Sequence, residues 1–181
     1  MKRTITTIML IWACSMTFAQ DIFISKNANI TFFSSTVVED IEAKSASGLS
    51  VINTKSMEVV FRVENNSFRF PKKLMEEHFN ENYMESDKFP NSTFKGKIQG
   101  SFIPGKNGSY PVTITGTLSI HGVSKTYSVP AELNFTNGNI AAKATFKVKI
   151  ADHGIKVPSL VFKNIAEFIQ ITIQALYLPK Q

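Results

Sequence analysis

The sequence is short of the residues that most often declare a chemistry. Of its 181 residues one is cysteine, Cys14, and one is tryptophan, Trp12. Both fall within the first nineteen positions, so the body of the chain has no thiol to form a disulfide, attack a substrate or hold a metal. The only histidines are His78, His121 and His153, and no two have the close spacing that brings a pair of imidazoles onto one metal ion. There is no Gly-x-Ser-x-Gly elbow and no glycine-rich phosphate loop; Pro104 to Gly108 reads as a turn. Asp152-His153 is an adjacent acid–base pair, but on a strand its members would point to opposite faces. The expectation is therefore a protein with no catalytic residues, metal or cofactor.

Long apolar runs are also missing. Ile5 to Trp12 is interrupted by Thr6 and Thr7 and falls well short of the roughly 20 residues that span a bilayer. With Lys2 and Arg3 before it and Thr17-Phe18-Ala19 after it, this stretch reads as an export signal over residues 1–19, leaving one domain over residues 20–181. The expected location is the periplasm, with secretion or a lipid anchor on Cys14 as alternatives; Trp12 is a bulky misfit for a lipidation motif. Charge of one sign does not dominate either. Lys+Arg number 20 against 14 Asp+Glu, and loss of Lys2 and Arg3 lowers the formal net charge from +6 to +4. Lysines are scattered along the chain, Lys55 and Lys163 among them, as on a solvated strand surface, and no nucleic-acid partner is expected.

What the chain does have is two-residue alternation. Asp21 to Ser25 reads as a short strand, and Asn29 to Ser34 as the start of a longer one running on through Val37, Val38, Ile41 and Ala43. A turn at Ser47-Gly48 follows. Leu49 to Ile52 and Met57 to Val63 read as neighbouring strands, the second with Val59, Phe61 and Val63 on one face. The only good helix begins at Pro71 and places Leu74, Met75, His78 and Phe79 on one side; Asn80-Glu81-Asn82 weakens it and Pro90 stops it.

From Thr93 onward the pattern is strand and turn. Phe94, Gly96 and Ile98 share a face; so do Val112, Ile114, Gly116, Leu118 and Ile120, then Tyr127, Val129, Ala131, Leu133 and Phe135, then Ala144, Phe146, Val148 and Ile150, and last Ile169, Ile171, Ile173, Ala175 and Tyr177. Asn137-Gly138 is a type I′ hairpin signal. One apolar and one polar face per strand is the signature of antiparallel sheets wetted on one side. Eight or nine such strands predict an all-β fold, an antiparallel closed barrel of about eight strands with one short helix, because closure removes exposed edges. A two-sheet sandwich is the alternative. The inward glycines Gly96 and Gly116 mark a bend or close backbone approach, or room for a ligand.

Three segments, in order, resemble the YceI-like family of exported bacterial proteins, lipocalin-like and associated with polyisoprenoid binding. They are His78-Phe79-Asn80 continued by Ser86 to Phe94, Gly116 to Lys125, and Ala144 to Val148 followed by Asp152 to Ile155. The chain departs from the family pattern at Tyr83 to Asp87 and at His153, where the family often has an aromatic. The resemblance implies an elongated barrel around an apolar channel with the helix near one end. An isoprenoid chain is stabilised by about 0.8 kcal/mol per buried carbon unit, so apolar walls suffice to hold it. The expected wall residues are Phe61, Phe94, Ile114, Leu118, Phe146 and Val148, with Met75 and Phe79 in a lid. Lys72, Lys73 and Lys88 are available to an anionic head group but read as surface lysines. The expected partner is an isoprenoid, quinone or fatty-acid-like molecule, held by a monomer or homodimer that makes transient contact with a membrane. Two other readings stand beside it: an exported stress or interaction protein whose barrel is filled by its own side chains, and an isomerase or hydrolase, which would need a polar pair buried at the cavity floor.

Overall fold

The computed structural model describes residues 21–156 and 165–180. The proposed export segment, with Cys14, lies outside them, as does Lys163. Eight antiparallel strands among the described residues close into one barrel in sequence order. They are β1 (Ile22–Ser35), β2 (Asp40–Asn53), β3 (Glu58–Glu64), β4 (Asn91–Gln99), β5 (Gly108–Ile120), β6 (Val123–Thr136), β7 (Asn139–Lys149) and β8 (Phe168–Pro179). β8 pairs with β1 to complete the ring, with Ile173 opposite Ile30. Of the two architectures compatible with the alternation, the barrel is the one formed.

The alternation translates directly into burial. On β3, Val59, Phe61 and Val63 are buried while Glu58, Val60, Arg62 and Glu64 are exposed, and the same parity holds along β6, where Val129, Leu133 and Phe135 are buried. Lys95, Lys97, Lys143 and Lys147 stand on the outer faces in water.

The N-terminal third departs from the sequence reading in three places. Asp21–Ser25 and Asn29–Ser34 belong to one strand, β1, whose ladder slips between Ser25 and Ala28 and again before Ile30. The strand does not run on through Val37 and Val38: residues 36–39 form a turn, held by the Thr36 hydroxyl, which accepts from the Val38 and Glu39 N–H groups at 3.2 Å each. Ser47-Gly48 is not a turn but lies inside β2, where Gly48 faces Ala28. A Cβ there would sit 2.8–2.9 Å from Ile30 Cδ1 and Ala28 Cβ, so the glycine serves close packing.

Gly96 and Gly116 are directly paired across β4 and β5. A side chain on Gly116 would run into the Lys95 carbonyl and the Gly96 Cα. Their positions are taken up by close backbone approach and leave no room for a ligand.

The two ends of the barrel differ. One carries short links: the turn after β2, the loop from Gly100 to Asn107, and the Asn137-Gly138 turn, with φ of 51° and 79° as type I′ requires. Phe23, Ile52, Leu133, Phe135, Ile140 and Phe102 pack solidly beneath them. The other end carries the two long connections, from β3 to β4 and from β7 to β8. The first holds α1 (Lys73–His78), which widens into a π turn over Phe79–Tyr83. The helical backbone thus runs through Asn80–Asn82, because Asn80 ties itself down: its Nδ2 donates to the Glu76 carbonyl (2.9 Å) and its Oδ1 accepts from Ser86 Oγ (2.7 Å). Pro71 precedes the N-cap residue Lys72, and Leu74 points outward instead of joining the apolar face.

Candidate functional site: an apolar cavity under a helical lid

Between the packed end and the long connections lies a cavity of about 340 Å³, within the roughly 300–1,000 Å³ range of small-molecule sites. Residues of all eight strands supply its walls, among them Ile30, Ile41, Phe61, Phe94, Ile114, Val129, Phe146 and Ile171. Several wall residues, including Phe94, Phe146, Ile171 and Ile173, are only half-buried although they point inward, because part of each side chain faces the cavity.

All eight residues singled out in the sequence lie on this wall. Phe61, Phe94, Ile114, Leu118, Phe146 and Val148 come from β3, β4, β5 and β7, and Met75 and Phe79 come from the lid. Strand parity placed the first six, since one inward residue fixes every second neighbour.

The lid itself was less visible in sequence. Phe79 sits at the centre of an aromatic cluster, with ring centroids 5.1 Å from Phe70, 5.7 Å from Phe68 and 6.0 Å from Phe32. Phe68 and Phe70 lie on an extended segment pinned to β2 by two backbone bonds between Arg69 and Lys44 (2.8 and 3.0 Å). Glu76 fastens α1 to the same segment: its carboxylate accepts from Lys73 (3.1 Å), Arg69 (3.4 Å) and the Phe70 N–H (3.3 Å). These bonds, that from Lys73 foremost, hold its carboxyl below the usual range. The buried Asn65 joins the start of the lid to the start of β4, donating to the Phe89 carbonyl (2.6 Å) and accepting from Ser92 Oγ (2.8 Å).

At the lid end its lining includes the half-buried Glu39 and the exposed His78. The three lysines considered for a head group are each engaged: Lys72 with Glu39 (2.8 Å), Lys73 with Glu76, and Lys88 with Glu85 (3.8 Å).

A polar network, not foreseen in the sequence, braces this end. His121 and Gly122 form the β5–β6 turn at φ of 50° and 73°. His121 donates from Nε2 to Glu85 (2.7 Å), and its Nδ1 lies 3.3 Å from the His153 carbonyl. Asp152 and His153 stand on a 3-10 turn, Ile150–His153, and not on a strand. There His153 is completely buried, with Nδ1 donating to the Val123 carbonyl (3.0 Å) and Nε2 accepting from the Tyr127 hydroxyl (3.1 Å). The ring thus fills an aromatic's place, stacked on Tyr127 at 14°, while satisfying both nitrogens.

One polar pair does reach the floor. Tyr177 lines the cavity and its hydroxyl donates to Ser50 Oγ (2.8 Å), which in turn donates to the Val60 carbonyl (2.8 Å). The chain of bonds ends on an amide oxygen, with no base along it to take a proton. Burial pushes the Tyr177 hydroxyl up to about 12. Among the described residues no group of three or more His, Cys, Asp or Glu side chains is placed to hold a metal ion.

An antiparallel up-and-down barrel closed at one end, with an apolar cavity under a lid at the other, defines a lipocalin-like class of protein. The chain belongs to the YceI-like domain family, whose model matches residues 16–176. Among solved structures it is similar to a polyisoprenoid-binding domain from Saccharophagus degradans implicated in plant cell wall breakdown (TM-score 0.74, 14% identity, covering 89% of this chain and 99% of that one). It is also similar to BcnA of Burkholderia cenocepacia (TM-score 0.68, 16% identity, 82% and 95% covered) and to a YceI protein of Campylobacter jejuni (0.61, 18%, 77% and 85%). No curated protein matches the sequence. At these identities the structural likeness speaks for the fold.

Proposed function

We propose that the barrel binds, and thereby stores or transports, a long apolar lipid of the isoprenoid type, a polyisoprenoid or quinone, without transforming it. The observation that carries this reading is the cavity: about 340 Å³ and walled almost wholly by aliphatic and aromatic side chains. Each carbon unit moved into such walls is stabilised by about 0.8 kcal/mol, so the tail needs no charged partner inside. The polyisoprenoid binding named for the Saccharophagus domain supports the same class of ligand. On this reading Phe61, Phe94, Ile114, Leu118, Phe146 and Val148 contact the tail and Met75 and Phe79 close over it. We read residues 1–19 as an export signal, and on that reading the protein works outside the cytoplasm, in the periplasm.

Native mass spectrometry of the protein purified from its own cell envelope, with solvent extraction of whatever accompanies it, tests the proposal. The expected result is a stoichiometric apolar molecule lost on denaturation. A clean apo mass that stays unchanged after incubation with prenols, quinones and fatty acids would overturn it and leave the ligand-free scaffold.

A further inference from the structure

The β1–β2 turn, at the cavity end, is made of the wrong residues for a turn. His121-Gly122 and Asn137-Gly138 carry side chains suited to positive φ, and the loop before β5 is Pro104-Gly105-Lys106-Asn107. The β1–β2 turn instead displays Val37 and Val38, exposed at 104% and 57%. Nothing local asks for valine there. The turn is built by Thr36, whose N–H donates to the Glu39 carbonyl and whose hydroxyl receives the next two N–H groups.

The tip is fixed relative to the cavity. Glu39 lines the cavity, and its 2.8 Å ion pair with Lys72 holds the turn against the start of α1. Two residues further on, Leu74 is 61% exposed, on the helix whose Met75 and His78 line the cavity. Exposed aliphatic side chains therefore stand on two neighbouring elements that both carry cavity-lining residues.

We propose that Val37, Val38 and Leu74 form a membrane-touching tip that dips into the interface of a lipid bilayer and sets the cavity opening against it for cargo exchange. The inference rests on the carrier reading above: a long isoprenoid resides in a bilayer, and its exchange through water is slow. A bilayer fits better than a protein, because three side chains offer on the order of 300 Å² against the ~800 Å² per partner of a stable protein interface. Arg69, Lys72 and Lys73 are matched there by Glu39, Asp40, Glu76 and Glu77, with Lys72–Glu39, Lys73–Glu76 and Arg69–Glu76 paired. Apolar insertion and not attraction to anionic lipid drives the contact, which is weak and reversible.

The test is stopped-flow uptake of a pyrene-labelled prenol from phosphatidylcholine vesicles, compared with equilibrium binding of the same prenol delivered from ethanol. For the unaltered protein, the uptake rate is expected to rise with vesicle concentration and to change less than two-fold when a fifth of the lipid is phosphatidylglycerol. Val37→Asn with Val38→Asn, and separately Leu74→Gln, is expected to slow vesicle uptake about ten-fold and two- to three-fold, with binding from ethanol unchanged. Variants that load from vesicles at the unaltered rate would overturn the tip, as would a strong dependence on phosphatidylglycerol. Failure of the unaltered protein to bind the prenol even from ethanol would instead overturn the carrier reading on which the tip depends.

Discussion

Glu85 and His121 face each other across 2.7 Å, and both hold positive φ, 43° and 50°. Each lies in a connection at the cavity end, one after the lid and one in the β5–β6 turn, so their bond clamps the lid to the barrel rim. The hydrogen bond from His121 is the main cause holding the Glu85 carboxyl below its usual range. A carboxyl depressed in the folded state stabilises above its unfolded pKa, and that contribution is lost as pH falls through the folded value. Glu85→Gln is therefore expected to melt below the unaltered protein at pH 7, with the gap closing as pH drops through and below the carboxylate range. Thermal melts followed by circular dichroism from pH 7 to pH 3 check this; a gap constant across the range would show that the pair is not responsible.

The paired glycines make a second prediction. Gly116→Ala puts a methyl into the Lys95 carbonyl and the Gly96 backbone, neither of which can swing away as a side chain could. We expect a loss of about 3 kcal/mol or more in urea unfolding, at or beyond the upper end of ordinary overpacking. Gly138→Ala, with nothing within 4 Å but φ of +79°, is expected to cost about 1 kcal/mol through backbone strain alone.

Cavity and packed end respond oppositely to volume. Ala144→Phe on the cavity wall adds bulk where space exists, so stability is expected to change by no more than about 1 kcal/mol while lipid uptake falls at least ten-fold. Leu133→Ala, in the fully buried end, is expected to cost about 2–5 kcal/mol. Urea unfolding with parallel prenol-binding measurements separates the two effects.

Tyr177→Phe removes one hydroxyl from the floor and leaves Ser50 bonded to Val60, so the cost at pH 7 is expected to be about 1 kcal/mol. The raised tyrosine contributes stability that is complete below the ordinary tyrosine range and is lost as pH climbs toward about 12. This loss is on the order of 2 kcal/mol and absent from the variant. The stability gap between the two proteins should therefore narrow and reverse between pH 10 and pH 12 in urea titrations.

How much of this was legible in the sequence depends on whether the cause is local. Val59, Phe61 and Val63 announce an inward face by themselves, and the same parity put Phe94, Leu118 and Phe146 on the cavity wall. The Thr36–Glu39 turn was hidden because a threonine hydroxyl supplies what glycine, asparagine or proline usually signal, and the exposed valines then mimic a strand. Gly48 misled in the opposite sense: its cause is the crowding by Ala28 and Ile30, which exists only once β1 and β2 have paired. Phe32, Phe68 and Phe70 meet Phe79 only because the connection doubles back over the barrel end, and the Glu85–His121 and Tyr127–His153 contacts likewise join segments remote in the chain. No period in the sequence encodes such meetings.

Closure of the ring by β8 on β1 has a kinetic consequence. Every other strand pair joins sequence neighbours, but Ile30 and Ile173 meet across nearly the whole described chain. That seam can form only after the last strand has been synthesised, so both edges stay unpaired through most of the chain's assembly. Long-range pairings of this kind slow folding and leave open strand edges prone to wrong partners. The slowest step in making this protein should therefore be the seam, and substitutions along β1 and β8 should slow folding more than equally destabilising ones in the β5–β6 hairpin.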